Sequence, residues 1–204
     1  LRSTVANMVA EETGNIFWMT DSSLFANEDK FRKTMALVDK ELKGSKEDFI
    51  KHFKNKYSND YPPAWMLVEI LPLGIVTRIY DNLADNALRK KIAARFLLPV
   101  PVFSSWITII TLVRNTCCHH SRVWNKENAI TPMLLKKTPY QWISKQISPN
   151  RTFYDVCILK WFIDIISPEN DMKSHLKNLL SDFPHVDIAA MGFPKNWEEE
   201  PLWK

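Results

Sequence analysis

The sequence predicts an all-α fold. Apolar residues recur at three-to-four spacing in one segment after another, the mark of helices that bury one face. No stretch alternates apolar and polar residues for long enough to require a sheet. Several of the twelve prolines and four glycines punctuate these periodic segments. The 204 residues amount to a single domain, given roughly 150 residues per domain.

The elements follow in order. The first 25 residues carry no clear pattern. A helix is expected from Glu28 to Lys43, capped by Asn27, striped by Phe31, Met35, Val38 and Leu42, and ended by Gly44. Ser45 with Asp48 reads as a capping box for a second helix, where Phe49, Phe53 and Tyr57 lie at i, i+4 and i+8. Lys46, Lys51, Lys54 and Lys56 fill the rest of that helix, as a solvated basic face or as one that tracks RNA. Ala64 to Leu83 carries a stripe of Trp65, Val68, Leu71, Ile75 and Ile79, with Pro72 and Gly74 expected to kink or divide it. Asn86 to Phe96 is a shorter helix with Arg89, Lys90, Lys91 and Arg95 outside. After a linker at Leu97–Pro101, a long helix starts near Val102. Asn125 to Pro139 reads as loop, and further helices are expected near Tyr140–Ile147, Thr152–Ile166 and Met172–Ser181. The tail from Met191 to Trp203 is irregular but aromatic.

Composition excludes several classes. A chain 46% hydrophobic and 25% charged is neither disordered nor collagen-like, and its eight tryptophans and eleven phenylalanines imply an aromatic core. No G-x-G-x-x-G or G-x-x-x-x-G-K-[ST] loop occurs. The net charge of +4 permits a nucleic-acid partner without requiring one. Cys117, Cys118 and Cys157 make no disulfide framework, so reduced thiols in a cytoplasmic protein are expected. The uncharged run Val100–Val113 falls short of the ~20 residues of a membrane span, and no secretory signal is visible. No membrane partner is expected.

The chemistry concentrates in Trp106 to Asn125. If this stretch stays helical at about 100° per residue, Trp106, Val113, Cys117, His120 and Trp124 share one face and are expected to be buried. Asn115, His119 and Arg122 then stack on the opposite face at i, i+4 and i+7, with Arg114 on the border. On this reading His120 is a core histidine. An imidazole that titrates near neutrality, beside guanidinium groups that grip phosphate oxygens, suits RNA cleavage by the neighbouring 2′-hydroxyl. Cys117, Cys118, His119 and His120 are four consecutive residues, which cannot all face one zinc ion, so no metal and no cofactor is expected.

Leu112 to Asn125, LVRNTCCHHSRVWN, resembles the LRNxCAHHxRxWN stretch of the Abi-like family, the AbiD/AbiF abortive-infection proteins of bacteria. Tyr61 to Glu69 resembles its YPPxWMxVE, and Leu73-Gly74 with Tyr80 and Leu83 resembles its FGxLSxxYxNL. Met191 to Trp197 with Pro201-Leu202-Trp203 resembles its C-terminal MGFPxNWxxxPLW. The departures are Cys118 for alanine, Lys126 for arginine and Leu73 for phenylalanine. That family is similar to the HEPN superfamily, whose ribonucleases carry Arg-x4-6-His. Arg114, Asn115 and His119 fit the x4 form, and His120 would fit x5.

The resemblance implies a HEPN-like helical bundle and a role in phage defence. It also implies dealings with RNA, as substrate or as a small non-coding RNA that restrains a toxin, and a further helical segment upstream of Leu1. Arg122, Asn125, Lys126, Lys46, Lys51 and Lys54 are the candidate RNA contacts. One Arg–His pair lacks a second proton donor, so a homodimer that brings a second imidazole is expected, as in the HEPN ribonucleases. Three readings remain open: a metal-independent endoribonuclease, an RNA-binding module that does not cleave, and a purely structural interaction domain.

Overall fold

The computed structural model describes residues 1–136, 140–144 and 146–204. Among them the chain is helical, with no strand and one isolated bridge between Phe25 and Leu83. It forms two compact units, Leu1–Val100 and Pro101–Lys204. Among the described residues no helix is long and apolar enough to cross a membrane.

The first unit holds α1 (Arg2–Thr13), α2 (Glu28–Gly44), α3 (Asp48–Lys56), α4 (Ala64–Ile70), α5 (Leu73–Asn82) and α6 (Asn86–Ala94). α1 packs on α4, α5 and α6 although its sequence shows no stripe. It buries only three small side chains, Val5, Ala6 and Val9, and accepts at the Ala6 carbonyl a hydrogen bond from the buried Trp18 indole, 3.0 Å away. Gly14 ends it at φ 65°, where a β-carbon would be strained. α2 starts as its residues require: Asn27 Oδ1 accepts from the Lys30 amide at 2.8 Å, and Glu28 and Asp29 face the helix dipole.

The expected capping box does not form. Glu47, not Ser45, precedes α3, and Ser45 Oγ accepts from the Glu47 amide at 3.4 Å instead. The buried pair on α3 is Ile50 and Phe53, while Phe49 and Tyr57 are exposed, so the stripe is rotated one position from the aromatic spacing. Pro72 divides α4 from α5: it forbids a helical Leu71, which adopts ψ 133°. Trp65, expected in the stripe, is 45% exposed, and Leu67 takes its place in the core. Arg89, expected outside, is only partly exposed, because its guanidinium lies over the Tyr80 ring at 5.4 Å.

The second unit is built on α7 (Val100–Cys118), α8 (Thr152–Ile166) and α9 (Met172–Asp182). α7 begins before Val102 because Pro101 sits in the first turn, where its missing N–H breaks no bond. Its buried side chains are Val102, Phe103, Trp106, Ile107, Ile109 and Thr111. α8 contributes Phe153, Tyr154, Cys157, Ile158, Trp161 and Phe162. Trp106 meets Trp161 edge to face at 5.8 Å, and Phe153 packs against Phe193, Trp197 and Trp203 of the tail. The aromatic core expected from composition is therefore present, and the irregular tail is part of it.

The helix expected at Tyr140–Ile147 is absent among the described residues there. The Ser144 amide donates to Glu200 Oε2 at 2.7 Å, and Trp142 packs on Trp106, so side-chain anchors replace the helical bonds. Pro139 and Lys145 lie outside the described residues.

Candidate nuclease site at the end of α7

α7 stops at Cys118, so the supposition of one helix through Asn125 is corrected. The stop is a Schellman turn. The Ser121 amide donates to the Thr116 carbonyl at 2.9 Å, and the His120 amide donates to the Cys117 carbonyl at 3.0 Å. His120 occupies the left-handed position at φ 52°, which glycine normally takes. Asn125 is also left-handed, at φ 44°. Non-glycine residues in this region cost roughly 1–2 kcal/mol each. Two such residues, His120 and Asn125, lie within six positions, in the segment that carries the candidate residues.

The expected faces hold only in part. Trp106 is buried, but Val113 is half-buried and Cys117 and Trp124 are exposed. His120 is exposed as well, so it is not a core histidine. Trp124 lies beyond the helix and its indole donates to the Asp187 carbonyl at 3.2 Å. Thr111 is buried, and its hydroxyl is satisfied there by donating back to the Ile107 carbonyl at 2.8 Å. Arg122 leaves the i, i+4, i+7 stack, because the helix has already ended.

Asn115 and His119 remain neighbours. The His119 amide still donates to the Asn115 carbonyl at 3.0 Å, which keeps the i, i+4 relation. Arg114 points from the next position around the helix, and its Nη1 donates to Asn115 Oδ1 at 3.1 Å. That bond draws the guanidinium toward the Asn115–His119 face. Arg114, His119 and His120 are exposed, and Asn115 is half-exposed. Among the described residues neither imidazole has a hydrogen-bond partner. Cys117 and Cys118 are free and exposed, Cys157 is free and buried. Among the described residues no group of His, Cys, Asp and Glu is placed to hold a metal ion.

The loop after the turn is fastened to the first turn of α8. Thr152 Oγ1 donates to the Val123 carbonyl at 3.2 Å, and the Asn128 amide donates to the Asn150 carbonyl at 2.9 Å. Arg151 donates to Glu127 at 2.9 Å and to Asn125 Oδ1 at 3.5 Å. Asn128 Nδ2 donates to both oxygens of Asp155, at 2.9 and 2.7 Å. Asp155 is only 3% exposed, and burial pushes its carboxyl up to about 6 against the opposing bond from Asn128. With Lys126, Val123, Leu112, Val113 and Thr116 it lines a small cavity of about 30 Å³ beside the α7 terminus. Arg122 and Lys126 are exposed.

Of the other candidates, Lys46, Lys51 and Lys54 belong to the first unit. Lys51 is paired with Asp48 at 2.8 Å, and Lys54 donates to the Leu42 carbonyl at the end of α2, so two of the three hold structure together. Asn128, Arg151 and Asp155 went unread in the sequence. The one signal was Asp155, an acid inside the apolar run of α8.

Gly192 of the tail belongs to the same assembly. A β-carbon there would meet Arg151 Cβ at 2.6 Å, and its φ is 85°. The glycine of the MGFP motif thus lets the tail lie against Arg151, which holds the loop.

A family model with the description Abi-like protein matches residues 1–125, which takes in the α7 terminus through Asn125. No curated protein and no solved structure matches the chain.

Proposed function

From the premise that this chain belongs to the Abi-like family, and so to abortive infection as a defence against phage, we propose that it is a metal-independent endoribonuclease of the HEPN kind. It acts as a toxin on cytoplasmic RNA and is restrained by a small non-coding RNA. The observation that supports this reading is the exposed set at the end of α7, with Arg114 bonded to Asn115 and His119 one helical turn further on.

In the reaction, neutral His119 removes the proton of a ribose 2′-hydroxyl, and that oxygen attacks the adjacent phosphorus. Arg114 stabilises the charge on the phosphorane oxygens through its two-pronged fork. The P–O5′ bond breaks, leaving a 2′,3′-cyclic phosphate and a 5′-oxygen that needs a proton. A second imidazole in its protonated form, from His119 of another copy of this chain, supplies it and is left neutral, while the first holds the 2′-hydroxyl proton. The active species is therefore a homodimer with a composite site. Arg122, Asn125 and Lys126 hold the flanking phosphates, and Lys46, which precedes α3, is the one of the three first-unit lysines without a partner among the described residues.

A second reading has one observation in its favour: neither imidazole is oriented by a hydrogen bond within the described residues. It is an RNA-binding module that does not cleave. Growth of cells expressing the wild type, His119→Ala or Arg114→Ala separates the two. The nuclease reading expects arrest with the wild type and growth with both variants, each still binding RNA. Equal arrest by all three would contradict it.

A further inference from the structure

α2 and α5 of the first unit enclose an open cleft of about 290 Å³, lined by Lys30, Lys33, Thr34, Arg78, Asp81 and Asn82. Its frame is fixed. Asn82 is buried and clamps the start of α2, accepting from the Asn27 amide at 3.1 Å and donating to the Asn27 carbonyl at 2.9 Å. The Thr34 hydroxyl donates to the Lys30 carbonyl at 2.8 Å. The polar floor is thus satisfied, and the rim carries the uncompensated charge.

One carboxylate, Asp81, lines the cleft itself. Glu28 and Asp29 face Arg32 at 3.8 and 2.5 Å. Asp81 lies 3.9 Å from Arg89. Among the described residues Lys30, Lys33 and Arg78 pair with no carboxylate. Other exposed cations, Lys40 and Lys43 included, are equally unpaired among the described residues; what sets these three apart is that they line the same cleft. Three cations therefore converge on one concavity against one shared carboxylate. Low-dielectric walls focus such a field and concentrate anions. Arg78 adds a planar fork that fits two phosphate oxygens, and the lysines add point charges.

We propose that this cleft is a phosphate-binding site, distinct from the α7 terminus. The phosphate belongs to the backbone of single-stranded RNA, which rests on the reading above, or to a free nucleoside triphosphate. Lys33 and Arg78 are exposed, so their removal leaves the core intact.

The test uses the full chain with His119→Ala, so that bound RNA is not cut. Anisotropy of a labelled single-stranded RNA is followed against salt, and ATP binding is measured by calorimetry. Lys33→Ala/Arg78→Ala is compared with Lys40→Ala/Lys43→Ala, which removes the same charge from the far end of α2. Each single-strand phosphate contact contributes about 0.7 to the slope of log affinity against log salt. Lys33→Ala/Arg78→Ala is expected to bind RNA at least tenfold more weakly, with a slope smaller by about 1.4, and the control to keep most of its affinity. Loss of ATP binding alone would assign the site to a free nucleotide. RNA and ATP binding unchanged in Lys33→Ala/Arg78→Ala, or equal losses in both double variants, would overturn the proposal. A wild type that neither binds nor cuts RNA but binds ATP through these side chains would sink the nuclease reading and leave the cleft standing.

Discussion

His119 and His120 are adjacent and both exposed, yet their backbones differ, and this separates their roles. His119 still accepts helical geometry, so His119→Ala should change stability by less than about 0.5 kcal/mol while abolishing cleavage. His120→Gly should instead stabilise the protein by roughly 0.5–1 kcal/mol, since relief at φ 52° outweighs the added freedom of the unfolded chain. Melting curves with activity assays check both, and a destabilised His120→Gly would contradict the turn. Retained cleavage in His120→Gly would leave the chemistry to His119. Asp155 gives a pH signature. Its folded pKa, about 6, lies above the unfolded value, so its contribution is fully present below the unfolded pKa and is lost as pH rises through about 6. At pH 7 the ionised, buried carboxylate is a liability, on the order of 1–3 kcal/mol. Asp155→Asn should raise stability at pH 7 and flatten its dependence between pH 4 and 7. Melting temperatures across that range for both proteins test it, and an unchanged pH slope would refute it.

At the scale of elements, the C-terminal tail and the loop after the α7 turn meet through Arg151. Gly192→Ala adds a β-carbon 2.6 Å from Arg151 Cβ at a φ of 85°, so Arg151 must shift away from Glu127 and Asn125. The variant should lose roughly 1–3 kcal/mol, and the Asn128 amide should exchange its hydrogen faster. Exchange and stability equal to those of the wild type would show that the tail does not hold the loop. Much of this architecture was legible in the sequence. Asn27, Pro72 and the apolar spacing of α2 and α8 act through neighbours along the chain, so pattern alone placed those helices. α1 was not legible, because it is covered by partners distant in sequence and needs only Val5, Ala6 and Val9. The closeness of Arg114, Asn115 and His119 was legible in the sequence, but the path of the chain after them was not. A Schellman turn on histidine, without glycine, gives no sequence signal, so the expected helix runs on to Trp124, which the turn instead leaves exposed; Val113 and Cys117 lie within α7 and stay out of the core all the same. The fastenings from α8 were hidden for the same reason as α1: Asn128 and Asp155 are 27 positions apart.

For the whole molecule, the proposed mechanism needs a second proton donor beside His119 and Arg114, and the proposal assigns it to another copy of the chain. Mixing inactive His119→Ala with wild type in equal amounts and letting subunits exchange should leave about one quarter of dimers wholly wild type. Cleavage should then fall to about a quarter rather than a half, and a fall to half would mean that each copy works alone. The measurement that most directly tests the central claim is the chemistry of the cut ends. Purified wild type incubated with single-stranded RNA in EDTA should leave 2′,3′-cyclic phosphate and 5′-hydroxyl ends, and His119→Ala should leave the RNA intact. Ends with 5′-phosphate, cutting that EDTA stops, or full cutting by His119→Ala would contradict the assignment of the α7 terminus as the site of RNA transesterification.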